Sequence, residues 1–105
     1  MPAAELVQAH YAETFERDMG CTEAEWLGWL PAALGDHAWQ RSGPSVQARI
    51  GPGSLQIDWR PAAPRVLGSA RIPRLLVRFA FAGLDDGQRH AFMKRFDVYM
   101  QRGGG

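Results

Sequence analysis

Apolar residues recur along this chain with two different periods. From Ala3 to Met19 they fall three and four apart, at Ala4, Val7, Tyr11, Phe15 and Met19, while Glu5, Glu13 and Glu16 lie off that stripe. This spacing predicts an amphipathic helix with one buried face. Gly20 is its expected stop, because the residue past a helix end favours a left-handed backbone. Thr22 opens a second helix, and with Glu25 three residues on it makes a capping box: the hydroxyl takes one free N–H and the carboxylate reaches back to another. Trp26, Leu27, Leu30 and Leu34 form the apolar stripe of this helix, with Gly35 at its end. Pro31 has no N–H to donate and predicts a bend or restart. The two segments, joined at Gly20-Cys21, predict a helical hairpin.

Beyond His37 the period falls to two. Val46, Ala48 and Ile50 alternate with Gln47 and Arg49; after Gly51-Pro52-Gly53, Leu55, Ile57 and Trp59 alternate with Gln56, Asp58 and Arg60. This is the pattern of an antiparallel hairpin with one buried face. Two prolines make Arg60 to Pro64 an expected loop. Leu75, Val77, Phe79 and Phe81 give the strongest strand signal, with Pro73 at its start or on an edge. Weaker strand signals cover Arg65 to Ser69 and Ala38 to Arg41. After Gly83, Asp85 and Gln88 can cap a last helix that buries Phe92, Met93, Phe96, Tyr99 and Met100 and turns His90, Lys94, Asp97 and Gln101 outward. The expected fold is α+β: one domain over 1–105, a two-layer sandwich with an N-terminal helical hairpin, an antiparallel sheet of three to five strands and a C-terminal helix, in ααβββα order.

Composition narrows the class. Forty-six per cent apolar residues in 105 suffice for a core, so disorder is not expected. No apolar run reaches a membrane span and no secretory pattern opens the chain, so a soluble cytoplasmic protein is expected. A lone cysteine, Cys21, excludes an internal disulfide and a multi-cysteine metal site in one chain. Eleven of the twelve bases are Arg and there is no Asn, a profile that suggests GC-rich bacterial coding. The charge is divided. Residues 1–36 hold seven acids and one base, net −6, whereas 37–105 hold eleven bases and four acids, net +7. If the acids lie on a helical hairpin and the strand arginines point away from it, the molecule is dipolar.

Candidate chemistry is sparse. His10, His37 and His90 fall on separate elements with no i, i+4 pair for a metal, and Cys21 is flanked by acids that oppose a thiolate. Gly51-Pro52-Gly53 lacks the lysine and the strand–helix setting of a phosphate loop. Asp85 and Asp86 read as helix caps, and the closing Arg102-Gly103-Gly104-Gly105 as a frayed end. No catalytic, cofactor or metal residues are therefore expected. The contact candidates are Arg49, Arg60, Arg74 and Arg78 on the outer sheet face, and Trp29 at the edge of the second helix's stripe. Together they predict a small non-catalytic interaction module. Its partner would be another protein or a second copy in a homodimer. Nucleic acid on the basic face is the alternative, although the strand aromatics point to the core rather than to bases. A third reading is a ligand or enzyme site in a cavity between helices and sheet.

Overall fold

The computed structural model describes residues 10–102, in the order β1 (Thr14–Met19), α1 (Glu23–Leu34), β2 (Trp39–Ser42), β3 (Ser45–Ile50), β4 (Gly53–Leu67), β5 (Ala70–Ala82) and α2 (Asp86–Arg102). The strands form one antiparallel sheet, ordered β1-β5-β4-β3-β2. Both helices cover the same face. Trp26 of α1 meets Trp59, Phe96 of α2 meets Phe79 edge-on, and Trp26 and Phe96 touch each other. The fold is α+β.

Alternation explains the sheet. Phe15, Phe79, Ile57 and Val46 stand side by side across β1, β5, β4 and β3, and face the helices. The next helix-facing row holds Phe81, Leu55, Ala48 and Trp39. Trp26, Leu30 and Leu34 of α1 and Phe92, Met93, Phe96 and Met100 of α2 close over these rows. Both expected caps form. Thr22 and Glu25 exchange bonds of 3.1 and 2.9 Å, and Asp85 and Gln88 do the same at 2.8 and 2.9 Å. Each of the hairpin loops Gly43-Pro44, Gly51-Pro52 and Gly68-Ser69 has two residues, with glycine first at φ 58°, 53° and 60°. A two-residue hairpin with the right twist needs positive φ there.

The N-terminal helical hairpin is not formed, and the ααβββα order is replaced by βαββββα. The part of the expected first helix over 3–9 lies outside the described residues, but its second half is strand β1. The cause is Arg17. In β1 the side chains of Phe15, Arg17 and Met19 point to the helices and those of Thr14, Glu16 and Asp18 point away. This is a period of two with a cation at one inward position, so the apolar residues alone leave a gap that a helical spacing also fits. Arg17 is tolerated there because Asp97 of α2 accepts bonds from both its terminal nitrogens, one of them 3.0 Å long, and its guanidinium lies 5.5–5.9 Å from the ring centres of Tyr11, Phe15 and Phe79. Burial pulls the Arg17 pKa down, but the bonds and charge of Asp97 outweigh it and hold the group protonated. The Tyr11 hydroxyl completes the cluster at 3.1 Å from Asp97, its pKa raised by burial first and by the carboxylate second. Asp97 is therefore inward-facing, contrary to the outward face expected of it.

Two further elements differ from expectation. Helix α1 runs unbroken through Pro31 to Leu34. Residues Arg60 to Pro64 are not a loop, since β4 continues through them to Leu67 with a register shift between Ala62 and Arg65.

Candidate interaction surface

β4 and β5 are longer than their neighbours. β3 pairs with β4 only over Gly53–Asp58, and β1 pairs with β5 only over Leu75–Ala80. Beyond those limits, 62–67 and 70–74 pair only with each other, as a two-stranded ribbon, with Arg60 and Pro61 at its root beside Leu76 and Leu75. This placement permits Pro61, Pro64 and Pro73, whose missing N–H groups would break a ladder in the sheet interior but not on an open edge. From Arg60 to Arg74 the chain holds four arginines and no acid. At the ribbon tip Val66 and Leu67 are each 58% exposed.

The ribbon's base is fastened by Asp18 on β1. Its carboxylate takes Arg74 Nε and Nη2 at 3.1 and 2.7 Å, and Arg65 Nη2 reaches it at 3.5 Å. The hydrogen bonds from Arg74 hold the Asp18 carboxyl below the usual carboxylate range, and the charge of Arg74 and Arg65 adds to the effect. Arg60 and Arg71 make no ion pair among the described residues.

The rest of the outer sheet face is mixed in charge. Glu16, Arg78, Asp58 and Ser45 stand in one row across four strands, and Asp18, Leu76 and Arg60 in the next. Asp58 accepts from Ser45 Oγ at 2.7 Å and from Gln56 Nε2 at 3.2 Å. Over Leu76 lies a half-open cleft of about 270 Å³ walled by Glu16, Asp58, Arg60 and Arg78. The structure thus brings Arg60, Arg74 and Arg78 together, in successive rows near the ribbon's root. Arg49 lies apart, lining a cleft with Trp39, Gln40, Gln47 and Ser54 on the β2–β3 side. Trp29 is half-buried and packed against the core. Because Glu16 and Asp18 are on β1, acids share the face with these arginines. Charge is balanced laterally within the sheet rather than split between layers.

No protein-family model and no curated protein matches this chain.

Groups with catalytic potential are engaged structurally or kept apart. Cys21 is buried, and its thiol is pushed up by burial first and by Glu25 second, away from the thiolate. Among the described residues no cluster of three or more His, Cys, Asp and Glu is placed to hold a metal ion. His37 packs on Phe92 and His90 on Tyr11. The buried Arg89 donates to the carbonyls of Tyr11 and Leu84 at 2.8 and 2.7 Å, which ties the segment before β1 to the start of α2. The Trp26 indole N–H is buried without an acceptor, between the rings of Trp59 and Phe96. An apolar surface groove of about 270 Å³ runs between Ile50, Pro52, Leu84 and Phe92, with His37 and Arg95 at its rim. Arg95 is anchored to the end of α1 through the carbonyls of Ala32 and Ala33 at 3.4 and 3.2 Å, and it stacks on Tyr99. Among the described residues no helix is long and apolar enough to cross a membrane.

Arg65, Arg71, Val66 and Leu67 were not singled out by periodicity. The available signal is compositional: a stretch with an arginine at each end, two more inside, three prolines, a central Gly-Ser and no acid. Gly-Ser between two β-prone runs marks a hairpin turn.

Proposed function

We propose that the protein is a non-catalytic binding module whose contact surface is the β4–β5 ribbon, and that its partner is a polyanion. One observation carries the reading: three arginines on a two-stranded projection and a fourth, Arg60, at its root, with no acid from 60 to 74 and with exposed Val66 and Leu67 at the tip. Arginines and prolines on an open edge also protect against strand-to-strand aggregation. Protection alone gives no reason to expose a valine and a leucine at the end of the same ribbon.

A foreign polyanion is favoured over a second copy of the chain. Some acids of a second copy are in use, with Asp18 on Arg74, Asp58 on Ser45 and Gln56, and Asp97 on Arg17, and exposed ones such as Glu16 on β1 and Asp36 beyond α1 stand on separate elements rather than in one dense anionic track. A partner of high negative charge has no such prior claims on it.

Immobilised heparin is a suitable generic polyanion. The wild-type chain is expected to bind it at low ionic strength and elute with salt. Arg60→Gln with Arg71→Gln should elute clearly earlier, because these two arginines have no ion pair to give up. Arg49→Gln, on the far side of the sheet, should leave elution nearly unchanged. A shift from Arg49→Gln half as large as that of the double variant, in proportion to the one charge removed against two, would mean that retention follows net charge and not the ribbon.

A further inference from the structure

Resting on the reading above, we infer that the polyanion is duplex DNA and that the β4–β5 ribbon enters one of its grooves, with Val66 and Leu67 leading. Three properties of the ribbon point to this. The first is shape: a two-stranded β-ribbon is one of the two elements that a B-form major groove, about 12 Å wide, admits. The second is charge. Arg60 and Arg71 are free of ion pairs among the described residues, and Arg65 and Arg74 share the single carboxylate of Asp18. Arginines placed along a ribbon between two phosphate backbones would neutralise phosphates and release counterions.

The third is the tip. Val66 and Leu67 lie next to the Gly68-Ser69 turn and are each 58% exposed. Apolar side chains in such a position act as wedges against base steps or pack on thymine methyl groups. An anionic polysaccharide has no comparable apolar target, and an A-form RNA duplex has a major groove too deep and narrow for a ribbon. The ribbon is braced for insertion, because Arg74 and Arg65 fix its root to β1 through Asp18.

The test is fluorescence anisotropy of the full chain with a labelled B-form DNA duplex, the same sequence as an RNA duplex, and one DNA strand alone, between about 50 and 200 mM salt. The DNA duplex should bind tightest. Each phosphate contact contributes about −0.9 to the slope of log K against log salt, so Arg60→Gln with Arg71→Gln should make the slope shallower by about 2. Val66→Ser with Leu67→Ser should leave the slope unchanged and weaken duplex binding about tenfold or more, from lost apolar burial. Circular dichroism and thermal melting of each variant would confirm an intact fold.

If heparin retains the chain through the ribbon but the DNA duplex does not bind at the lowest salt, the DNA inference fails and the polyanion reading stands. If neither binds, both fail. Equal affinity for duplex and single strand, with no loss from the tip variant, would reduce the interaction to general phosphate attraction and overturn groove entry.

Discussion

Replacing Phe79 by alanine is expected to destabilise the protein by about 3–5 kcal/mol, enough to remove much of the stability of a domain this size. Phe79 is fully buried on β5, between the row neighbours Phe15 on β1 and Ile57 on β4. Its ring stacks on Phe15 at 4.9 Å and meets Phe96 of α2 edge-on at 5.6 Å. Truncation therefore removes contacts on both sheet neighbours and on the helical layer at once. A rigid sheet leaves little room for collapse into the space, which places the cost at the upper end for an aromatic. Urea unfolding measures it as a fall in midpoint at constant slope. A loss below about 1 kcal/mol would mean that the two layers do not meet at Phe79.

The second large effect concerns the Arg17–Asp97 pair, and its sign depends on how the pair is changed. Asp97→Ala leaves a guanidinium with no carboxylate on the inner face of β1 and takes the acceptor from the Tyr11 hydroxyl. Breaking a fully buried pair costs about 3–5 kcal/mol; here the two side chains are 23% and 28% exposed, so solvent screening reduces the expected cost to about 2–3 kcal/mol. Arg17→Met combined with Asp97→Leu, made in a Tyr11→Phe background so that no buried hydroxyl loses its acceptor, exchanges the pair for apolar groups that can pack on Phe15 and Phe79. That variant should lie within about 1 kcal/mol of the Tyr11→Phe background, because desolvating two charges offsets much of what their attraction contributes. Chemical denaturation of both variants separates the outcomes. If the double substitution is as damaging as Asp97→Ala, the ion pair is needed for its own sake and the desolvation account is wrong.

The same pair explains where the sequence was legible and where it was not. Positions whose burial follows from side-chain type were read correctly: Val46, Ala48 and Ile50, Leu55, Ile57 and Trp59, and Leu75, Val77, Phe79 and Phe81 all face the core. Local hydrogen-bond chemistry was equally readable, as the two caps at Thr22 and Asp85 show. β1 was not, because its inward alternation passes through Arg17, whose partner lies 80 residues away. No local pattern reveals a cation satisfied from that distance.

The ribbon was hidden for a different reason. Pro61 and Pro64 argue against a strand inside a sheet, and only the topology shows that β4 has outrun β3 at that point. With β1 misplaced, Glu16 and Asp18 were assigned to a helix, and the outer sheet face looked more basic than it is. Once they are placed beside Arg78 and Arg74, the uncompensated positive charge contracts from the whole face to the ribbon. The turn at Gly51-Pro52 was legible, whereas the same glycine-first signal at Gly43-Pro44 and Gly68-Ser69 marks two further tight hairpins that the alternation alone did not show.

The claim that the ribbon is the contact surface is tested most directly by mapping it. A ¹⁵N-labelled chain titrated with a short DNA duplex, or with a heparin oligosaccharide if DNA does not bind, should show backbone shift changes concentrated in residues 60–74, spreading to Asp18 through Arg74 and Arg65. Changes centred instead on the groove at Phe92 and Ile50, or on Trp29 of α1, with 60–74 unmoved, would contradict the account.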